Sequence, residues 1–392
     1  MSAFSGPEIS TSGLVFCYDA NNTEKSWKGK PTTNLVNPSW AAWSVDGSGQ
    51  GNIGTRTINS TYYCTISDIN QNTRQNTYIE GVSASTTYTF SVKYRKIAGA
   101  PTLRFQIQAY NGVSYISTMS FATTAQLGIT DKEDWQTAFI TLTTPANTTR
   151  VLWFMQDGDD YTTYNHIFEL KEPQMEAGSI YSPFVDGTRS NTQAILDLTN
   201  NNTITAQNLS YASDGTFSFD ATDDYIDTGL DLSWNNTNSA SIDFWCKPST
   251  VSQTRGIIGK GLDWEWQVRQ NGSNLGFVYW DTGGGHGNGP TPEVSSVFQA
   301  NVWKNITVVW SHTANELYLY ANGVLISTNT WTNASTNVNK SNSVKIGGSI
   351  YDWTGGGAYW SGSISNVKFY NLALSTQQVI QNFQALRGRY GV

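Results

Sequence analysis

The side chains that could do chemistry are few. Asp263 and Glu265 flank Trp264 on a predicted strand. Residues i and i+2 of a strand share a face, roughly 6.5–7 Å apart. That falls near the separation a general acid and a general base keep across a glycosidic bond. The plainer reading is two solvated charges opposite an apolar face of Trp264 and Trp266, and catalysis is not expected. The histidines His166, His286 and His312 have no metal-ligand spacing with one another or with a cysteine. No G-x-S-x-G, P-loop or H-E-x-x-H segment occurs. Nucleophilic and zinc chemistry therefore have no support, and neither a metal nor another cofactor is expected. Cys17, Cys64 and Cys246 are odd in number and far apart, which reads as free, buried thiols.

Binding chemistry has more to work with. Sugars offer apolar CH faces that stack on aromatic rings, while nearby polar groups meet their hydroxyls. Trp280, Asp281 and His286 fall in one glycine-rich stretch, and Tyr351, Asp352, Trp353 and Tyr359 in another. Each places a ring beside a carboxylate in a run of glycines that lets a ligand approach the backbone. Trp40, Trp43 and the Asp157-Gly158-Asp159-Asp160-Tyr161 segment are further candidates, Tyr161 being its ring. The Asp157–Asp160 carboxylates also have the make-up of a Ca²⁺ loop, but a solvated acidic turn is the preferred reading. Trp280 and Tyr359 could instead cover a sheet edge.

The composition says what must position these groups. A chain of 392 residues is too long for one ordinary domain. Hydrophobic residues make up 38% and charged ones only 14%, yet 13% are aromatic, with 15 Trp and 20 Tyr. Gly, Ser, Thr and Asn fill the rest, as in a β-rich protein with many turns. The net charge of −7 argues against nucleic acid or an anionic membrane surface as partner. No run of apolar residues is long enough for membrane insertion. The opening residues have neither a basic nor an apolar region of the secretory kind, so no signal peptide is expected.

From Ser363 to Asn371 the residues alternate, as in a strand with two unlike faces. Ser375 and Gln378 then form a capping-box pattern. Val379, Ile380, Phe383 and Leu386 make a helical apolar stripe, with Gly388 as its expected end. Gly362, Ile364, Val367, Tyr370, Ala373, Leu374 and Ser375 resemble the closing segment of the laminin-G-like, concanavalin-A-like jelly-roll family. Gly13-Leu14-Val15-Phe16-Cys17-Tyr18-Asp19-Ala20 resembles its opening strand. The turn and strand that should follow, Leu196 to Asn202 and Phe217 to Ile226, come about 170 residues later. The simplest account is an inserted domain. Phe244-Trp245-Cys246-Lys247-Pro248, Trp303 to Trp310 and Glu316 to Val324 continue the same resemblance. It also bears on catalysis: laminarinase-like glycosidases of this fold carry E-x-D-x-x-E, whereas Gly261 stands two residues before Asp263 and Gln267 two after Glu265.

The inserted stretch has its own alternating segments, among them Thr86–Tyr94, Leu103–Tyr110, Trp135–Leu142 and Arg150–Met155. Asn34-Leu35-Val36, the Tyr88–Lys93 strand and Gln174-Met175-Glu176 through Pro183-Phe184 resemble carbohydrate-binding-module jelly rolls of the family 4/9 type. The last of these motifs is frequent in phage tail and fibre proteins. The ending Gln381–Gly391 resembles structural proteins of tailed phages, notably those of aquatic bacteria.

The fold expected is all-β. Two antiparallel jelly-roll sandwiches, one inserted into a loop of the other, are followed by a short C-terminal helix. Residues 1–32 and 188–392 form the laminin-G-like sandwich, and 33–187 the insert. What the resemblances imply is a non-enzymatic virion appendage: a tail fibre, fibre tip or capsid decoration. It would be assembled in the host cytoplasm as a homo-oligomer beside other virion proteins, and would contact host-surface polysaccharide. A purely structural virion subunit and a glycan-degrading enzyme are the alternatives.

Overall fold

The structure is a computed structural model. It describes residues 8–22, 24–47, 54–68, 73–99, 103–123, 126–129, 133–157, 166–211, 216–232, 234, 237–260, 265–279, 291–331, 342–348, 350–351 and 357–392. The chain divides into two compact units, Met1–Lys30 with Ser190–Val392, and Pro31–Arg189.

The first unit is built on two sheets. In the larger, the order is Ser210–Tyr211, Phe217–Asp220, Ser361–Tyr370, Ala240–Pro248, Lys304–Ser311, Glu316–Ala321 and Val324–Thr330. Leu14–Asp19 also pairs with Ser361–Tyr370, antiparallel, from Tyr370 to Asn366. The opening and closing segments of the chain are thus neighbours in one sheet. The second sheet runs Thr205–Gln207, Tyr225–Asp227, Val344–Ile346, Thr254–Lys260, Trp266–Asn271, Asn274–Tyr279 and Glu293–Val294. The core is rich in rings: Trp234 stacks on Trp266 at 4.8 Å and on Phe277 at 5.1 Å. Each ring of this size removes about 200 Å² from water, or roughly 5 kcal/mol at 25 cal/mol per Å². Asn322 and Gly323, with φ of 51° and 75°, make the tight turn that Asn-Gly favours between Glu316–Ala321 and Val324–Thr330.

The closing strand is buried on both faces, not on one as its alternation suggests. Helix α1, Thr376–Tyr390, follows it and supplies the reason. Val379 and Leu374 join Val309, Tyr320 and Tyr370 in a second small core on the outer side of the sheet. Lys368 of this strand is fully buried and bonds Asp243 at 2.6 Å. Asp243 also accepts from the Thr307 hydroxyl at 2.7 Å and the Asn305 amide at 3.2 Å. Removing one member of such a pair typically costs about 3–5 kcal/mol, because the other charge is left buried. The expected capping box at Ser375 and Gln378 is present. The helix does not stop at Gly388, however. It runs on to Tyr390 and is capped by left-handed Gly391. Tyr390 stacks on Trp245 at 4.1 Å and Arg389 bonds Asp19 at 2.7 Å, and these contacts outweigh the roughly 1 kcal/mol cost of an internal glycine.

The second unit holds its core between two sheets of five strands. One runs Gln136–Thr143, Thr87–Ala98, His166–Ala177, Tyr63–Asp68, Thr55–Ser60. The other runs Ser44–Gly47, Thr73–Glu80, Arg150–Asp157, Leu103–Asn111, Ser114–Ala122. Alternate residues point inward from both, with Trp153 lying against Trp43, Phe90 and Phe105. The segments that carried the carbohydrate-binding-module resemblance prove to be a latch. Glu176 accepts the N–H and O–H of Ser182 at 2.8 and 2.7 Å, and Gln174 accepts from Val185 N at 2.8 Å. Asn34 accepts from Met175 N at 3.0 Å and donates to Pro173 O at 3.1 Å. Thr32 and Thr33 pair with Arg189 and Thr188 where the chain enters and leaves this unit. In the first unit, Trp27 bridges Ile195 at the corresponding place.

Candidate functional site

The structure sorts the sequence candidates unevenly. Trp40 and Trp43 are 0% and 2% exposed, and their rings meet at 5.1 Å inside the core of the second unit. A ring packed on both faces has none left for a sugar, so neither is a surface contact. Trp280, Asp281, His286, Asp352, Trp353 and Tyr161 lie outside the described residues, as does the Asp263 carboxylate. Tyr351 belongs to a short strand, Ile350–Tyr351, paired with Gly357–Ala358. Tyr359 is half-buried and lies on Gly348, where an added Cβ would come within 2.2 Å of the Tyr359 ring. It covers backbone there. Glu265 is not solvated but 1% exposed, just before the strand Trp266–Asn271, and pairs with buried Lys260 at 2.9 Å. Lys260 also reaches Asp231 at 2.5 Å. Glu265 thus has the surroundings of a structural ion pair.

What the structure brings together is a different group, on the outer face of the Thr87–Ala98 sheet. Its register sets Tyr63 opposite Lys171, Lys171 opposite Lys93, and Glu169 opposite both Arg95 and Thr65. Phe168, Leu170, Tyr94, Cys64 and Ile66 take the alternate positions and fill the core. Tyr63, Arg95 and Lys171 must then point outward together. Trp135 precedes the strand Gln136–Thr143, which begins opposite Tyr94. With Ser60, Tyr62 and Glu172, these side chains line a cleft of about 340 Å³.

Its geometry is set by charge and ring contacts. The Arg95 guanidinium is clamped on Glu169, with Nε 2.7 Å from Oε2 and Nη2 also donating. The Tyr63 hydroxyl donates to the other oxygen of Glu169. The hydrogen bonds to Glu169 hold the Arg95 guanidinium protonated beyond its ordinary range. Arg95 and Lys171 both lie over Trp135, at 4.9 and 4.3 Å from the ring centroid. Tyr63 meets the same ring edge-on at 5.7 Å. At the rim the Tyr62 hydroxyl donates to Asp186, which pushes the Tyr62 pKa up.

The sheet is irregular at this point. The pairing of His166–Ala177 with Thr87–Ala98 slips between Lys171 and Gln174, and Glu172 has φ of 59°. A β-bulge re-aims side chains, and a left-handed non-glycine residue costs about 1–3 kcal/mol that the surroundings must offset. Glu172 is held by its N–H to Tyr62 O at 2.8 Å and by Lys93 at 2.7 Å. The cleft was legible in part. In Trp135–Leu142, Ala138 is buried with Ile140 and Leu142 packed on the core, so parity sends Trp135 outward with Thr137 and Phe139. The bulge that gathers Tyr62 and Glu172 left no such signal.

Among the described residues one carboxylate group could hold a cation: oxygens of Asp220, Asp223 and Asp224 lie within 4.8 Å of one another. Hydrogen bonds of the turn account for it. Asp224 accepts from Asp220 N at 2.9 Å, Asp220 from Thr222 N at 2.8 Å, and Asp223 from Asn208 at 2.8 Å. Cys17, Cys64 and Cys246 are buried free thiols. Burial pushes Cys17 up to about 12, away from reactive thiolate.

Residues 220–380 match the family described as the concanavalin A-like lectin/glucanases superfamily, a laminin G type. This match and the paired antiparallel sheets agree on an all-β jelly roll for the first unit. No curated protein matches the chain. Among solved structures, the binding domain of botulinum neurotoxin serotype D is similar at 15% identity and a TM-score of 0.38, over 50% of each chain. The binding domain of Paraclostridial Mosquitocidal Protein 1 is similar at 15% identity and 0.38, over 48% of this chain and 49% of that one. The chain thus spans about half the length of these two domains. The CBM40 of a Ruminococcus gnavus IT-sialidase, bound to alpha2,3 sialyllactose, is similar at 18% identity and 0.34, over 42% of this chain and 94% of that one. Among the described residues no helix is long and apolar enough to cross a membrane.

Proposed function

We propose that the protein is a non-enzymatic, glycan-binding appendage of a bacteriophage virion: a tail fibre, fibre tip or capsid decoration that contacts host-surface polysaccharide. The cleft around Trp135 carries this reading. It combines half-buried rings, Trp135, Tyr62 and Tyr63, with fixed hydrogen-bonding side chains, Arg95, Lys171 and Glu172. That is the mixture a sugar needs, with one apolar face and a polar rim. The burial and ion pairing of Glu265 speak for binding without hydrolysis. The loops around Trp280 and Trp353 belong to the proposal as a further contact, with the cleft as the principal one. The virion setting rests on the phage-like motif of residues 174–184 and the phage-like ending. One stacked ring anchors a sugar by about 1 kcal/mol, so adhesion draws on many copies.

The test is capture of host bacteria by beads coated with the protein, with extracted surface polysaccharide as competitor. Capture that the polysaccharide abolishes, with no reducing sugar released, is the expected outcome. No capture would favour a structural subunit, and released reducing sugar would favour the enzyme.

A further inference from the structure

Resting on the glycan-binding reading, we propose that the Trp135 cleft selects acidic sugars, with Lys171 and Arg95 receiving the anionic substituent beside the indole.

The cleft and its rim hold three cations, Lys93, Arg95 and Lys171, and three carboxylates, Glu169, Glu172 and Asp186, but they are unevenly paired, Asp186 being taken by the Tyr62 hydroxyl. Lys93 is paired with Glu172 at 2.7 Å. Arg95 is paired with Glu169 through Nε and Nη2, and Glu169 is nearly buried and also takes the Tyr63 hydroxyl. Lys171 has no carboxylate within ion-pair distance among the described residues; its ammonium rests on Trp135, 4.3 Å from the centroid. Arg95 spends Nε and Nη2 on Glu169, and its guanidinium also lies within reach of the Tyr63 hydroxyl. One ammonium without a carboxylate partner and one guanidinium therefore meet over the same ring.

That arrangement has a defined complement. A neutral sugar stacked at Trp135 would have to move Lys171 aside and leave its charge unmatched. A sugar carrying a carboxylate, sulfate or phosphate displaces Lys171 from the ring as well, but gives its ammonium an anion to pair with beside the indole. Charge-assisted bonds of this kind are about twice as strong as neutral ones. Across the chain the net charge is −7, so the protein as a whole repels polyanions. Capture of an acidic polymer would have to be local.

Affinity electrophoresis of the full chain tests this. The gels contain polygalacturonate, the same polymer after carboxyl reduction, or dextran sulfate. Polygalacturonate should retard the protein, the reduced polymer about fivefold less, a ratio of the size one solvent-exposed charge pair gives. Lys171→Gln should remove that difference and Lys171→Arg should keep it. Lys171 is a partly exposed side chain, and an unchanged melting temperature verifies that the variant is folded. Retardation by dextran sulfate as well would extend the acceptor to sulfate, and its absence would restrict it to carboxylate. Equal retardation by both galacturonate-derived polymers, unchanged in Lys171→Gln, would overturn charge selection while leaving glycan binding standing. Retardation by neither would overturn it too, and bead capture of host cells would then judge the glycan-binding reading by itself.

Discussion

At the residue scale, Asp224 is a carboxyl group whose burial favours its acid form. It is 2% exposed, and burial raises its pKa from 3.8 to about 6. A carboxyl whose folded pKa lies above its unfolded one favours folding most below the unfolded value. That contribution is lost as pH rises from about 4 to 6. Asp224→Asn keeps an acceptor for the N–H of Asp220 and removes the charge. It should stabilise the protein by about 1 kcal/mol at pH 8 and by little at pH 4, read as a difference in melting temperature. An equal effect at both pH values would contradict the assignment. The same scale shows why the sequence located rings better than it located sites. Trp40, Trp43 and Trp135 look alike as letters. Only the strand parity around Trp135 says which way its ring goes, and Trp40 sits in a 3-10 turn where no period of two applies.

At the scale of elements, α1 turns a one-sided sheet into a two-sided one. Its start depends on Ser375, whose side chain accepts from Gln378 N at 3.3 Å while the Gln378 side chain accepts from Ser375 N at 2.9 Å. Ser375→Ala should destabilise the protein by about 1 kcal/mol, measured by denaturant unfolding of the first unit. A loss near zero would mean that packing alone holds the helix. The strand before α1 and the cap were legible because each is a local pattern. The far end of α1 was not, because Tyr390 and Arg389 are held by Trp245 and Asp19, residues distant in the chain. The burial of Lys368 was not legible for the same reason: its partner Asp243 lies 125 residues away.

At the scale of the whole molecule, the first unit is assembled from both ends of the chain. Ser10 N bonds Asn382 at 2.8 Å, and Leu14–Asp19 lies along Ser361–Tyr370. Where the chain leaves and returns, Lys28 N bonds Ala194 O at 2.8 Å. Excising residues 31–189 and joining Lys30 to Ser190 by a short linker should therefore leave a folded sandwich, since loop closure depends only weakly on length. A single cooperative melting transition of the excised protein checks this; an unfolded product would contradict it. The central claim is that the Trp135 cleft holds glycan, and one measurement addresses it most directly. Parent and Trp135→Ala protein, each displayed in many copies on beads, are compared on an array of bacterial surface polysaccharides. The parent should be retained, and the variant, with an unchanged melting temperature, should lose at least about tenfold, as loss of a stacked ring multiplied by avidity requires. Retention of the variant as strong as that of the parent would contradict the claim.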